Sequence, residues 1–272
     1  MRLGIVTIPH PVSGGSVIER FAEFGRRVEA LGFSGLWVTD AFGRGRPTLD
    51  PLTLLATLCV DTSRIELGTC VVQVPLRHPV EHAHRAQTLH LLSRGRFRFG
   101  VGSGSTKADF DAVGADYEAR FKTLPTYPEI MRRTWNGEAV QGPALSLWPE
   151  TEGGPPVLLG AWRSARWINL AARDCQGWIA SGIYSNPENL GIGLRMYRDA
   201  GGTRAVLANV FTDLRPEPAL NPMIANAKIS LICAPAEARD RLRRLQDLGL
   251  DDALLVCPFD APEQLEAIRA LI

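Results

Sequence analysis

The residues best suited to chemistry lie in two short loops, each of which follows a predicted strand. Residues 102–105 read Gly-Ser-Gly-Ser, and residues 160–164 read Gly-Ala-Trp-Arg-Ser. Small residues let the backbone come close to a ligand, the start of a helix attracts anions, and Arg163 adds a planar cationic donor. The two loops therefore predict a site for a phosphate-bearing ligand. The alternative, which the sequence leaves open, is that Ser164 only caps a helix and Arg163 is solvated.

Eight strand-then-helix units position these loops. A helix between two strands makes the strands parallel, so that their carboxyl ends share one rim, where such proteins place their sites. Eight alternations predict an α/β fold, a (β/α)₈ TIM barrel that forms a single domain over residues 1–272 with short insertions. An open doubly wound sheet would have fewer strands and a GxGxxG turn after the first, where this chain has Pro9-His10-Pro11. The predicted strands are 3–8, 35–39, 65–74, 97–101, 156–160, 177–181, 205–212 and 253–257.

The composition excludes several classes of protein. With 30 Lys and Arg against 29 Asp and Glu the net charge is +1, so neither nucleic acid nor an anionic membrane is an expected partner. The apolar start is too short for a signal peptide, and no stretch approaches the length of a membrane span. The five cysteines are odd in number and lack CxxC spacing, which favours a reducing cytoplasm.

Three polar residues at strand ends are candidates for acid–base work. Asp40 follows the second strand, His10 follows the first, and His78 precedes the helix that begins at Pro79. A carboxylate at the end of an apolar strand can act as a base, but it can equally order the next loop by bonding to backbone. Both readings of Asp40 stay open.

The other histidines invite a metal interpretation, which the spacing does not support. His82 and His84 are two apart on a predicted helix, so they face different ways. We expect His82, His84 and His90 on the outer, solvated side of that helix. The chain has no HxH after the first strand and no HExxH, so no metal site is predicted.

Three segments carry a resemblance to a known family. SRIELGTCVVQVPLRHP resembles the pattern SRI-LGT-V---P-R-P, LLSRGRFRFGVGSG resembles LS-GR---GVG-G, and PPVLLGAWRSARWINLAARDCQGWIASG resembles PP-L-GG-----L--AAR--DGW. In this order the segments are similar to the bacterial luciferase-like family of flavin- or deazaflavin-dependent oxidoreductases. The similarity runs over almost the whole chain.

The resemblance implies a cofactor at the barrel rim: FMN, or alternatively the deazaflavin coenzyme F420. It also implies a non-proline cis peptide between Cys70 and Val71, under the cofactor ring. The implied ring site lies near Asp40, Cys70, Val71 and Ser103. The implied phosphate site lies near Ser105, Gly160, Ala161, Trp162, Arg163 and Ser164.

The resemblance further implies the activity, a flavin-dependent oxidoreductase that acts on a small organic substrate. The form expected is a monooxygenase that acts on paired donors with molecular oxygen, with deazaflavin-dependent hydride transfer as the alternative. Electrons would come from a flavin reductase or NAD(P)H, and a homodimer is expected by family likeness. Substrate would enter above the ring, under loop 41–49 and the polar excursion 107–119. The Arg/Gly-rich loop 42–47 is either a lid over the substrate or a mobile solvent loop.

One departure from the family pattern concerns the proton donor. Many relatives carry histidine after the acidic residue of the second strand, where this chain has Ala41. Acid–base work would then fall to Asp40, His10 or His78. Two rivals remain: a non-catalytic flavin-binding or storage protein, and a phosphate-binding isomerase with Asp40 as base.

Overall fold

The structure is a computed structural model that describes residues 1–11, 15–42, 45, 47–161, 164–218 and 222–272. Its strands are β1 (Arg2–Thr7), β2 (Gly35–Val38), β3 (Glu66–Thr69), β4 (Val72–Gln73), β5 (Phe97–Gly102), β6 (Val157–Gly160), β7 (Gly177–Ser181), β8 (Ala205–Asp213), β9 (Ser230–Ile232) and β10 (Asp252–Val256). Its helices are α1 (Val17–Ala30), α2 (Pro51–Asp61), α3 (Pro79–Leu92), α4 (Lys107–Val113), α5 (Arg120–Thr123), α6 (Thr126–Trp135), α7 (Ala165–Asp174), α8 (Pro187–Asp199), α9 (Pro222–Ala225), α10 (Pro235–Asp247) and α11 (Gln264–Arg269).

The strands close into a parallel barrel. Around it run β1, β2, β3, β5, β6, β7, β8 and β10, and β10 pairs with both β8 and β1 to complete the circle. Short β4 continues the line of β3 beside β5, and β9 extends the end of β8. The predicted TIM barrel is confirmed, so the carboxyl ends of the strands meet at one mouth.

The sequence located the eight barrel strands to within a few residues and missed the short elements between them. The predicted strand 65–74 is interrupted at Cys70–Val71 into β3 and β4. The polar stretch 107–119, expected as an excursion, contains α4, and the proline-rich loop after β8 contains α9 and β9. Elements of three to seven residues are too short for hydrophobic periodicity to indicate them.

At two helix starts a polar side chain satisfies one of the first N–H groups. The Asp50 carboxylate accepts a 2.9 Å hydrogen bond from the Thr53 amide, with Pro51 at the first helical position of α2. The Asn186 side chain accepts in the same way from Asn189 at the start of α8. These caps fix where the loops above the mouth end.

The barrel interior is packed solid below the mouth. The indole of Trp37 fills space left by glycines on its own and the neighbouring strands, since a Cβ at Gly68 would lie 2.2 Å from the ring and one at Gly35 would lie 2.9 Å from Nε1. The ring belongs to an apolar cluster inside the barrel, whose buried members are Val6, Trp37, Cys70, Leu158, Ile179, Val206, Ala208 and Leu254.

Charged residues close the opposite, amino-terminal end of the barrel. Glu66 accepts hydrogen bonds from Arg98 at 2.8 Å and Arg204 at 2.6 Å, and Asp252 accepts from Arg204 at 2.9 Å and Arg2 at 3.0 Å. Burial acts to raise the pKa of Glu66, but hydrogen bonding and charge from Arg204 outweigh it and hold the pKa below its usual value. We call these five residues the basal ion cluster.

The expectation that His82 faces solvent is wrong. Its side chain is fully buried under α3 and packs edge-on against Phe99 at 5.2 Å between ring centroids. His84 is exposed as expected, and His90 is partly buried. Helical spacing places His82 one turn before Ala86, so it belongs to the apolar face of α3 that packs on the barrel.

In the ranges that the structure describes, no helix is both long and apolar enough to cross a membrane.

Candidate active site

The floor of the barrel mouth is the peptide between Cys70 and Val71, which is cis as the sequence resemblance implied. The Val71 side chain lies between two glycines, because a Cβ at Gly102 would be 2.6 Å from Val71 Cγ2 and one at Gly160 would be 3.1 Å from Cγ1. Any side chain at either glycine would compete with Val71 for this space. The result is a small apolar surface at the centre of the mouth.

Cys70 does not supply a nucleophile to this floor. The side chain is buried, and burial raises the pKa of its thiol to about 12. The thiol therefore stays protonated near neutral pH and packs as a small apolar group.

The two glycine- and serine-rich loops leave the barrel side by side. Val101 on β5 pairs in parallel with Leu159 on β6, so the residues that follow each strand are neighbours. Ser103 is partly buried and Ser105 is exposed. Gly104 has a φ of +79°, which favours glycine and turns the loop over the rim.

The start of α7 lies at the end of the β6 loop. Ser164 is its N-cap, but the Ser164 hydroxyl makes no capping hydrogen bond to the helix. The first helical hydrogen bonds run from the amides of Trp167 and Ile168 to the Ser164 carbonyl, so the amides of Ala165 and Arg166 precede them. This end of the helix is suited to an anion.

Ala161 has a fixed backbone in the same loop. Its amide donates to the Ile179 carbonyl at 3.0 Å, and its carbonyl accepts from the Trp178 indole. Ala161 is therefore a wall of the site rather than a donor to a ligand. The predicted site residues Trp162 and Arg163 lie outside the described residues.

Asp40 is buried and fully engaged at the end of β2. Its carboxylate receives Arg77 through two nitrogens, at 2.8 and 3.1 Å, and the Gln73 amide at 3.0 Å. Burial acts to lower the pKa of Arg77, but the hydrogen bonds and charge of Asp40 outweigh it and raise the pKa. Because both carboxylate oxygens of Asp40 accept hydrogen bonds from neighbouring residues, this geometry favours the structural reading of Asp40 over its use as a base.

Gln73 extends this pair into a network that sequence reasoning missed. Its side-chain nitrogen donates to Asp109 at 2.7 Å and to the Asp40 carbonyl at 3.3 Å, and Asp109 accepts from the Phe42 amide. Both partners of the nitrogen are acceptors, which fixes the orientation of the amide. The buried Gln73 oxygen has no partner among the described residues, and it faces Gly104, where a Cβ would lie 2.7 Å away.

The two candidate histidines occupy different environments. His10 is partly buried beyond the end of β1, with Nδ1 3.1 Å from the Ile8 carbonyl and its ring edge-on to Phe259. His78 is exposed and stands directly before α3 as its N-cap. His10 is therefore held in place at the mouth, whereas His78 is in solvent.

A small cavity opens beside the ends of β1 and β2. Its lining combines apolar side chains with three threonines, and Thr48 donates to the carbonyl of Ala41. The lining residues are Thr7, Ile8, Pro9, Val38, Thr39, Thr48, Leu49 and Leu54.

Comparison with known proteins places this geometry in context. The sequence profile of the luciferase-like monooxygenase family matches residues 1–208. A 4-hydroxyprotoasukamycin monooxygenase from Streptomyces nodosus subsp. asukaensis is 30% identical over 191 residues, which cover 65% of this chain and 52% of that protein. The chain thus matches about half the length of this curated relative.

Two solved structures share the fold. Coenzyme F420 dependent tetrahydromethanopterin reductase from Methanopyrus kandleri superposes with a TM-score of 0.77 at 16% identity, over 100% of this chain and 98% of that one. The oxygenating constituent of 3,6-diketocamphane monooxygenase from Pseudomonas putida, in complex with FMN, superposes with a TM-score of 0.72 at 13% identity. The superposition covers 99% of this chain and 96% of that one. None of these relatives favours a storage protein. With the barrel, the cis peptide and the match over residues 1–208 in place, the chain belongs to the luciferase-like monooxygenase family.

Proposed function

We propose that this protein is a flavin-dependent oxidoreductase that holds reduced FMN, or coenzyme F420, across the barrel mouth and acts on a small organic substrate. The observation that carries the proposal is the placement of Val71 between Gly102 and Gly160, directly below the β5 and β6 loops. A flat ring needs a smooth floor that side chains do not interrupt, and its phosphate needs donors at one end of that floor.

The described residues fit such a cofactor at both ends. Gly102 and Gly160 keep the floor clear of side chains other than Val71. Ser103, Ser105, Ser164 and the first turn of α7 would bind the phosphate, with Trp162 and Arg163 in the same loop by sequence. Both candidate coenzymes carry a phosphate at this end, so the site fits either one.

A reduced flavin supplies a hydride, or electrons for the activation of oxygen, and the protein supplies position and surroundings. The packed barrel below Val71 keeps water from that face of the ring. The Asp40–Arg77 pair and Gln73 hold the β2 loop against α4, which fixes one wall of the mouth. His10 is the described side chain best placed to exchange a proton with a substrate there.

The partners and the type of reaction follow from the same proposal. We further propose a cytoplasmic homodimer that receives electrons from a flavin reductase or NAD(P)H. In the FMN form the reaction would be a monooxygenation with molecular oxygen, and in the F420 form a hydride transfer.

Titration of the protein with FMN and with F420, followed by fluorescence quenching, tests the proposal. We expect saturable binding of at least one coenzyme. Substitution of Arg163→Ala together with Ser164→Ala should weaken binding by about tenfold or more, because two donors to the phosphate are removed. Arg173→Ala, at the far end of α7 and exposed, is the control and should bind as the wild type does.

Two outcomes oppose the proposal. Absence of binding by both coenzymes at millimolar concentration would exclude it. An unchanged affinity in the double variant would move the phosphate away from the start of α7.

A further inference from the structure

The opposite part of the mouth, at the ends of β7 and β8, carries a polar pair that the proposed site leaves unused. Ser181 follows Gly177 and Ile179 at alternate positions of β7, and Ile179 lies in the cluster inside the barrel. Side chains two apart on a strand share a face, so Ser181 points into the mouth. Asn209 on β8 reaches it, with Nδ2 3.5 Å from the Ser181 hydroxyl.

The backbone at Asn209 has an unusual conformation that sets the direction of this side chain. Asn209 has a φ of +58°, and Arg94 is the other non-glycine residue with positive φ in the described ranges. From Ala253 to Leu255 on β10 the partners on β8 advance from Leu207 to Val210, so β8 contains one extra residue at this point. Such a bulge redirects a side chain, and bulges cluster near active sites.

The neighbouring strand accommodates the bulge. A Cβ at Gly182 would lie 3.0 Å from the Asn209 carbonyl oxygen, so glycine lets the two backbones approach. Asparagine tolerates the left-handed conformation better than most side chains, but glycine would do so with no strain. The presence of an amide where glycine is the easier residue suggests that the amide is used.

The position of the pair matches one edge of the proposed ring. Neighbouring strands lie about 4.8 Å apart, so β8 stands about 10 Å round the rim from β6 and its phosphate loop. A tricyclic ring whose side chain leads to that phosphate can bring its far edge to β7 and β8. The side chain leaves the middle ring, so either end of the tricycle could lie there. In flavins and in deazaflavins alike the pyrimidine end is an imide, with an N–H between two carbonyls.

We infer that Asn209, supported by Ser181, recognises this imide edge. A carboxamide presents a donor and an acceptor side by side, and it forms two hydrogen bonds with a group that offers the same pair, as asparagine does with adenine. The inference rests on the proposed function and deepens it, since it makes Asn209 a positioning residue that sets which way round the ring lies. It holds for both candidate coenzymes, because they share the imide.

The test compares two ligands and three proteins by their dissociation constants. FMN and 3-methyl-FMN, in which a methyl group replaces the imide hydrogen, are titrated into wild type, Asn209→Gly and Arg94→Gly. Glycine at position 209 keeps the positive φ and removes the amide. Arg94→Gly is the control, because Arg94 is exposed and also has a positive φ, so this variant shows the effect of relieved backbone strain alone. If the protein binds only F420, the same titrations use F420 with all three proteins.

We expect Asn209→Gly to bind FMN about tenfold more weakly, and 3-methylation to weaken binding to wild type but much less to Asn209→Gly. Arg94→Gly should match wild type with both ligands. Should the glycine variant not fold, Asn209→Asp keeps the turn and should lose affinity, because a carboxylate faces the ring carbonyl.

The outcomes separate this inference from the proposed function. If wild type binds neither coenzyme, the proposed function fails. If wild type binds, but Asn209→Gly or Asn209→Asp binds equally well and 3-methylation costs the same in wild type and variant, then the imide assignment is wrong and the function stands.

Discussion

Asp40 and Arg77 form the most strongly constrained pair at the mouth. The Asp40 side chain is 2% exposed and that of Arg77 15%, and the two meet through two hydrogen bonds. The tip of Arg77 also lies 5.9 Å from the centre of the Phe42 ring, and the Arg77 carbonyl accepts from the Tyr127 hydroxyl. The pair thus joins the loop after β2 to the segment before α3, which Tyr127 ties to α6.

Removal of one member of this pair should be costly. Either Arg77→Met or Asp40→Asn leaves an unpaired buried group, for which we expect a loss of about 3 kcal/mol in the free energy of unfolding. The double variant should lose less than the sum of the two, and denaturant unfolding of all three measures the coupling.

The surface pair Arg26–Asp61 is the matched control. Its nitrogen and oxygen are 2.6 Å apart, but the side chains are 54% and 27% exposed. Arg26→Met should cost no more than about 1 kcal/mol. If Arg26→Met and Arg77→Met lowered the free energy of unfolding equally, Arg77 would not form a stabilising buried ion pair.

Helix α3 carries a buried titratable group, His82. Neither ring nitrogen has a hydrogen-bond partner among the described residues. Burial, together with the positive charges of Arg77 and Arg85, lowers the pKa of His82 to about 3 from its ordinary 6.5. The folded chain therefore favours the neutral imidazole at this position.

This burial predicts an acid-sensitive stability. Between about pH 6.5 and pH 3 the unfolded chain holds a proton on His82 that the folded chain does not, so stability falls as the pH falls, with a slope from this residue of about 1.4 kcal/mol per pH unit. The change His82→Leu should remove that part of the slope in unfolding measured across this range. The exposed His84→Leu should leave it in place; if both variants keep the wild-type slope, His82 is not the cause.

The elements were predictable from sequence where a local pattern specifies them. The alternation of strand and helix patterns predicted the eight strands of the barrel, and the quoted family patterns implied the cis peptide at Cys70–Val71. Elements as short as α5 and β9 lack any period to detect.

The parts of the site that escaped prediction depend on contacts between distant residues. Gln73 meets Asp109 across 36 positions, and no local pattern marks either residue. Arg77 stands in the quoted P-R-P pattern, which could have singled it out, but only the fold reveals Asp40 as its partner. His82 was misplaced because a histidine was assumed to be solvated, whereas the helix face to which it belongs is apolar.

The two ends of the barrel differ in the kinds of residue that they carry. The basal ion cluster closes the end away from the site, whereas glycines, serines and the cis peptide lie at the mouth. In barrels of this kind the carboxyl end carries the site and the amino end carries stability.

A change in the basal ion cluster should therefore affect folding and leave coenzyme binding unchanged. Glu66→Gln removes the charge that neutralises Arg98 and Arg204, and we expect it to lower the free energy of unfolding by about 3 kcal/mol. Glu237→Gln, which weakens an exposed pair with Arg241 on α10, should cost less than about 1 kcal/mol. An altered coenzyme affinity in folded Glu66→Gln would argue against this separation of the two ends.

The most direct test of the central claim is a crystal structure of the protein soaked with FMN or F420. We predict density for the ring above Val71, for the phosphate between the Ser103–Ser105 loop and the start of α7, and for the imide edge at Asn209. A mouth that stays empty at saturating coenzyme, or a ring bound elsewhere on the molecule, would contradict the account.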